Sequence, residues 1–252
     1  MTKENIALFK EELDEFHQLY ADRPIANNEG GMKSPHLFAT FHTLRKLRPL
    51  LIIESGVWKG QGTWLMKKAL PEVNILSFDV DFGNLVYKHP EVNYVQNDIK
   101  NIPWNKMYED NPKITPENTL LFLDDHQNFI ERLVFLKNSP FKHIMFEDNY
   151  PSNQGDCLSP KKIKAGGSYV LDRNGDKSFH SIKPEEKMLF DSAVEEYIEL
   201  PPIFSKDKTR WGDPWADYET PEAICEQIDD YPLFKTDSEI DSYTWICYMK
   251  LK

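Results

Sequence analysis

Residues 50–65, LLIIESGVWKGQGTWL, leave few choices for the fold around them. Leu50, Leu51, Ile52 and Ile53 read as a buried strand that ends on an acid, Glu54. A turn follows with glycines at Gly56, Gly60 and Gly62, and then a helix opens. Such a strand-turn-helix lets backbone come close to a ligand and points amide groups at it. The acid at the strand tip bears on which ligand. It would repel the pyrophosphate of a dinucleotide, whereas S-adenosylmethionine brings a sulfonium and an amino group and no phosphate. The glycine spacing, G-x-x-x-G-x-G, also differs from the G-x-G-x-x-G of dinucleotide folds. Taken alone, the segment also fits an ordinary βα turn with tolerated glycines.

The rest of the chain extends this unit. Ile6, Phe9, Leu13, Phe16, Leu19 and Tyr20 recur at helical spacing, which predicts an amphipathic helix over 4–20. A second helix is expected over 36–48, stopped by Pro49. Strands are expected at 50–54, 74–80, 92–96, 120–123 and 143–146, with helices at 62–69 and 128–137. That alternation implies an α/β, Rossmann-like, doubly wound and mostly parallel sheet with helices on both faces. An N-terminal helical extension, 1–48, precedes the main domain, 49–252. Residues 150–176 are polar and rich in Gly, Pro and Ser, and read as a long loop over the site. Beyond it the patterns predict a helix over 184–197, a short strand or irregular stretch at 197–204, a helix starting near Thr220 and Pro221, and a strand over 242–250.

Acids close each of the five strands: Glu54, then Asp79 and Asp81, Asp98, Asp124 with Asp125, and Glu147 with Asp148. Ligands of an open parallel sheet bind at this edge, although any one such acid also suits helix capping. Asp79 stands near the spacing at which an acid takes ribose hydroxyls, with Asp81 behind it. Asp98 is placed to receive the exocyclic amine of a purine, with Ile99 against the ring. The segments LFLDDHQN and FEDNY would bring up to four carboxylates together, and such a cluster needs a shared proton or a cation. Oxygen ligands without clustered Cys or His suit Mg²⁺ or another divalent cation, here at Asp124, Glu147 and Asp148. His126 is placed to act as a general base, or else as a structural imidazole. Trp58, Trp211 and Trp215 offer faces on which a sugar ring would stack, while Trp64 reads as core.

Composition narrows the partners. With 41 acidic against 30 basic residues and no basic stripe, nucleic acid is not expected as a partner. No apolar run approaches a membrane span, and the charged N-terminus is not a signal peptide. Cys157, Cys225 and Cys247 have no metal-type spacing and read as reduced thiols, so a soluble, cytoplasmic protein is expected. The oligomeric state is not legible, and a homo-oligomer is compatible with the chain.

Together these residues resemble the class I S-adenosylmethionine-dependent methyltransferases, and within them the metal-dependent O-methyltransferases grouped with cephalosporin hydroxylase-like proteins, including macrolide-sugar methyltransferases. The resemblance covers roughly residues 49–150. It implies a seven-stranded methyltransferase sheet, with Glu54, Gly56, Gly60, Gly62 and Thr63 as the cofactor turn. It further implies Asp79 as the ribose acid, Asp98 as the adenine-contacting acid, Asp124, Glu147 and Asp148 as metal ligands, and His126 with Asp124 as the catalytic pair. One departure stands out: Asp124 and His126 are two apart, where the family usually has three. The activity implied is a Mg-assisted O-methyl transfer to a hydroxyl of a small molecule, a sugar or other diol. Two alternatives are a Rossmann enzyme binding NAD or a sugar nucleotide, and a non-catalytic cofactor-binding protein of the same fold.

Overall fold

Two helices, α1 (Lys3–Tyr20) and α2 (Ser34–Leu47), open the chain in the computed structural model, which describes residues 3–171, 176–226 and 228–252. The alternation then runs β1 (Leu51–Ser55), α3 (Gln61–Ala69), β2 (Asn74–Asp79), β3 (Asn93–Gln96), α4 (Trp104–Asp110), β4 (Thr119–Leu123), α5 (Phe129–Leu136) and β5 (His143–Phe146). After β5 come a short helix α6 (Pro160–Lys164) and a hairpin of β6 (Gly167–Leu171) and β7 (Lys177–Ser181). The last elements are α7 (Pro184–Ala193), β8 (Val194–Glu199), α8 (Asp237–Ile240) and β9 (Cys247–Leu251).

Seven strands form one sheet in the order β3-β2-β1-β4-β5-β9-β8. The first five are parallel, and β9 enters antiparallel between β5 and β8. This is the Rossmann-like, mostly parallel seven-stranded sheet expected from the sequence. β1 and β4 are buried on both faces, which is why they read as unbroken apolar runs. Their side chains alternate between two cores. Ile52, Leu120 and Phe122 face α1, α2 and α3, packing with Phe16, Phe41 and Trp64. Leu51, Ile53, Leu121 and Leu123 face the other layer, with Trp104, Phe129, Leu133 and Phe190.

The extension is stitched to the far end of the chain. The Tyr20 hydroxyl donates to the buried Glu239 carboxylate at 2.9 Å, and the Ser34 amide donates to the same group at 3.0 Å. Phe16 stacks on Phe234 with ring centroids 5.9 Å apart. Burial of this aromatic face, more than helix propensity, holds α1 in place.

Three local expectations change, and one helix appears that none of them covered. The helix expected over 184–197 stops at Ala193, because Val194–Glu199 pairs with β9 along the sheet edge. No helix starts near Thr220 and Pro221. Instead the Ile224 and Cys225 amides donate to the carbonyls of Pro202 and Ile203, at 3.1 and 2.9 Å, so this stretch is extended. The loop expected over 150–176 holds α6 and the first hairpin strand, with 172–175 outside the described residues. Finally, α4 carries no strong sequence signal. It is fixed by Trp104, whose indole N–H donates to the Ile99 carbonyl at 2.8 Å. Among the described residues no helix is long and apolar enough to cross a membrane.

Candidate active site

The carboxyl edge of the sheet is where the chemistry collects. The turn after β1 is closed by Gly56 at φ +91°, where any side chain would overlap the Asp124 carbonyl. That contact locks the turn onto the end of β4, and the Asp124 amide donates to the Ser55 carbonyl at 2.8 Å. Asp79 at the end of β2 reinforces the turn, accepting from the amides of Val57 at 2.9 Å and Asp81 at 3.0 Å.

The paired acids after β4 point to different partners. Asp125 accepts from Ser55 Oγ at 2.7 Å and from Arg132 of α5 at 2.6 Å. Arg132, nearly buried, donates its other terminal nitrogen to Asp98 at 2.8 Å. Burial opposes the Asp98 charge, but the Lys100 amide and Arg132 outweigh it and hold the carboxyl below its usual range. Asp98 is therefore occupied by an ion pair and by capping the turn at Ile99, although it still lines the cleft. Arg132 was invisible in the sequence, since one arginine on a helix has no motif.

Asp124 turns the other way, toward His126 and Asp148. One donor atom from each of these three lies within 4.8 Å of the others. Burial, then the charges of Glu147 and Asp148, pushes the Asp124 carboxyl well above its ordinary range. Burial and Glu147 do the same to Asp148. Asp148 Oδ2 accepts the His126 amide at 3.1 Å, while Oδ1 is buried and accepts no hydrogen bond. His126 adopts φ +52°, and its Nδ1 lies 3.1 Å from Asp156 and 3.5 Å from Asp148 Oδ1. The bond to Asp156 and the charge of Asp148 raise the imidazole to about 10, so without another cation it is held as imidazolium. The orphaned, buried Asp148 oxygen beside the Asp124 carboxyl, both acids raised by burial and like charge, is a donor set that fits a divalent cation.

Glu147 stands outside that trio. Its Oε1 meets His36 Nδ1 at 2.6 Å, and His36 Nε2 accepts the Thr244 amide at 3.0 Å. The amide fixes the tautomer: Nε2 carries the lone pair, so Nδ1 carries the proton and donates to Glu147. Burial works against the Glu147 charge, yet His36 holds its pKa below the ordinary value. His36 thus reaches the acid edge from the N-terminal extension.

Two cavities meet at the cluster. One, about 470 Å³, is lined by Gly56, Trp58, Asp79, Asp81, Asp98 and Arg132 among others. The second, about 410 Å³, is lined by Lys33, Glu147, Asp148, Tyr150, Arg210 and Thr244 among others. Gly30, Gly31, Asp124 and His126 belong to both. A larger cleft of about 1050 Å³ between the β6–β7 hairpin and the stretch around Tyr218 contains none of the cluster residues.

Several expected cofactor contacts are not at the cleft. Glu54 is buried and accepts from Thr63 at 2.6 Å and Ser77 at 2.5 Å, and burial raises it to about 7. Thr63 is spent on that bond. Gly60 lacks a side chain because the Tyr87 carbonyl lies against it, and Gly62 because Met32 and Glu54 do. Ile99 is wholly buried in the core beside Trp104. Of the tryptophans, Trp64 is core as expected. Trp211 and Trp215 stack on Trp245, with centroids 6.4 and 5.2 Å away, and do not line the second cavity. Trp58 lies against Gly31 and donates to the Glu29 carbonyl at 3.1 Å.

No family model and no curated protein matches the chain. Among solved structures it is similar to CmcI with Mg-SAM, at 19% identity over 46% of this chain and 53% of that one, with a TM-score of 0.36. The chain thus spans about half the length of the first structures it matches. It is also similar to the O-methyltransferase from Bacillus cereus in complex with SAH, at 12% identity over 96% of this chain and 91% of that one, TM-score 0.43. A third is the Burkholderia thailandensis 1,6-didemethyltoxoflavin-N1-methyltransferase with bound 1,6-didemethyltoxoflavin and S-adenosylhomocysteine. There the identity is 9% over 100% of this chain and 91% of that one, TM-score 0.44.

Proposed function

We propose that the protein is an S-adenosylmethionine-dependent O-methyltransferase, assisted by Mg²⁺ or another divalent cation, acting on a hydroxyl of a sugar or other small diol. The observation that carries this reading is the pair of cavities sharing Asp124 and His126 at the carboxyl edge of the sheet. One has room for a methyl donor and the other for an acceptor, with the titratable cluster where they join.

Charge supports the choice of donor. Asp79, Asp81, Asp98, Asp124 and Asp125 line the first cavity, and its cations are committed: Arg132 to Asp98 and Asp125, His126 to Asp156 and Asp148. A pyrophosphate would meet uncompensated carboxylates there, whereas a sulfonium with an amino group would be attracted. In this reading Asp79 and Asp81 take the ribose hydroxyls and the backbone at Gly56 runs beside the amino-acid portion. Glu54 contributes by fixing Thr63 at the start of α3.

Asp124 and Asp148 hold the cation, with Glu147 positioned by His36. Bound there, the cation would supply charge that acidifies a neighbouring hydroxyl and offsets the carboxylates. His126 is placed to take the acceptor proton once the charge of the cation has offset the carboxylates and released the proton it otherwise holds, and Asp156 orients its ring through Nδ1. Gly30 and Gly31, against Trp58, line both cavities at the junction. Cys157, Cys225 and Cys247 are buried and unpaired, which fits a cytoplasmic protein.

Calorimetric titration with S-adenosylhomocysteine and NAD, together with mass-spectrometric detection of methylated diols, tests the reading. Binding of the first ligand only, and product formation that ceases in EDTA and in Asp124→Ala, is expected. Tight NAD binding, or full activity in EDTA and in that variant, would overturn it.

A further inference from the structure

We propose that the acceptor carries an anionic group, a carboxylate or phosphate, held by Arg210 and Lys33 while its hydroxyl faces Asp124 and Asp148. This rests on the methyltransferase reading above and names its acceptor class. The argument comes from how the two cavities use their cations. Arg132 in the donor cavity and His126 at the junction of the two are both ion-paired. In the acceptor cavity Lys33 and Arg210 line the wall, and neither meets a carboxylate among the described residues. The Trp211 ring lies 5.7 Å from the Arg210 guanidinium.

What sets these two cations apart is their place, on the wall of a cavity whose junction end carries Asp124, Glu147 and Asp148. Two further acids line the cavity, but they do not serve these cations. Asp241 is bound by Lys206, and Glu29 is exposed. The amide of Ser34 at the start of α2 is already taken by Glu239, so the positive potential on this wall comes from side chains.

The guanidinium of Arg210 is a planar fork that suits two oxygens of one acid group. Lys33 adds a point charge. The cavity then has acids at the junction and cations elsewhere on its wall. An acceptor with an anionic group would enter one way round, since the reverse would bring its charge onto Glu147 and Asp148. Orientation of this kind is what a transfer to one particular hydroxyl requires.

Calorimetry on the full chain with Mg²⁺ and S-adenosylhomocysteine present tests this. Glucose, glucuronate and glucose 6-phosphate form one series, and catechol against 3,4-dihydroxybenzoate a second. An acidic member should bind about tenfold or more tightly than its neutral counterpart. In the Arg210→Ala/Lys33→Ala double variant the gap should shrink to within about twofold. The glucuronate and phosphate arms tell carboxylate from phosphate. Absence of any acid preference, including no binding by any probe, overturns the proposal, as does a preference that survives the double substitution. Methyl transfer to neutral diols alone would keep the function and remove this inference. Arg210-dependent binding of the acids without any methyl transfer from S-adenosylmethionine would do the reverse. Both side chains reach solvent, and unchanged thermal unfolding of the variants confirms that they fold.

Discussion

Replacing Glu54 with glutamine should alter stability in a pH-dependent way that isolates one buried acid. The Glu54 carboxyl is 1% exposed, bonded to Thr63 and Ser77, and raised by burial from 4.5 to about 7. Its folded pKa lies above the unfolded one, so the folded chain keeps a proton that the unfolded chain releases between these values. Stability from this group therefore falls as pH rises through the window and is level on either side. With the two pKa values at 4.5 and about 7, the loss between pH 5 and pH 8 is about 2.5 kcal/mol. Glutamine has no such proton. Its amide hydrogens would cost about 1–3 kcal/mol if left unpaired, but by the same amount at every pH. Urea unfolding of both proteins across this range should show the difference between variant and parent moving by about 2.5 kcal/mol in favour of the variant. A difference that stays flat within about 0.5 kcal/mol would refute the reasoning, because Glu54 would then titrate as an ordinary acid.

Other substitutions probe the rest of the edge. Gly56→Ala places a methyl group on the Asp124 carbonyl and should cost about 2–4 kcal/mol in urea unfolding while weakening S-adenosylhomocysteine binding. Arg132→Met strands Asp98 and Asp125 and should cost about 3–5 kcal/mol near neutral pH. Because Asp98 is held below its ordinary pKa, the parent's advantage is present above that value and fades as pH falls through the folded pKa, which acid titration of both proteins would show. His36→Ala leaves Glu147 buried without its donor and should weaken Mg²⁺ binding in calorimetry, whereas an unchanged affinity would separate Glu147 from the cation.

The legible part of this fold was its parallel half. Buried central strands such as β1 and β4 cannot alternate with water, so they announce themselves as apolar runs, and the acids at their ends mark the edge where ligands bind. The antiparallel half was harder to read. Val194–Glu199 continues directly from α7, and only its partner β9, far along the chain, decides where helix ends and strand begins. The site divides in the same way. Asp79, Asp124 and Asp148 follow from position on the sheet. The different fates of Asp124 and Asp125, the burial of Glu54, and the roles of Arg132, Asp156 and His36 depend on partners from other elements, which no local pattern encodes.

The His36 bridge also bears on when the site comes into being. It joins Glu147 across 111 residues and Thr244 across 208, and the Tyr20–Glu239 bond that anchors the same extension spans 219. β9 must also slot between β5 and β8 before Thr244 is in place. Closures this long are slow because their entropic cost precedes any reward. In a refolding experiment, helical signal should therefore return well before ligand binding. The parallel core can assemble early as an inert scaffold, and competence arrives with the final closures.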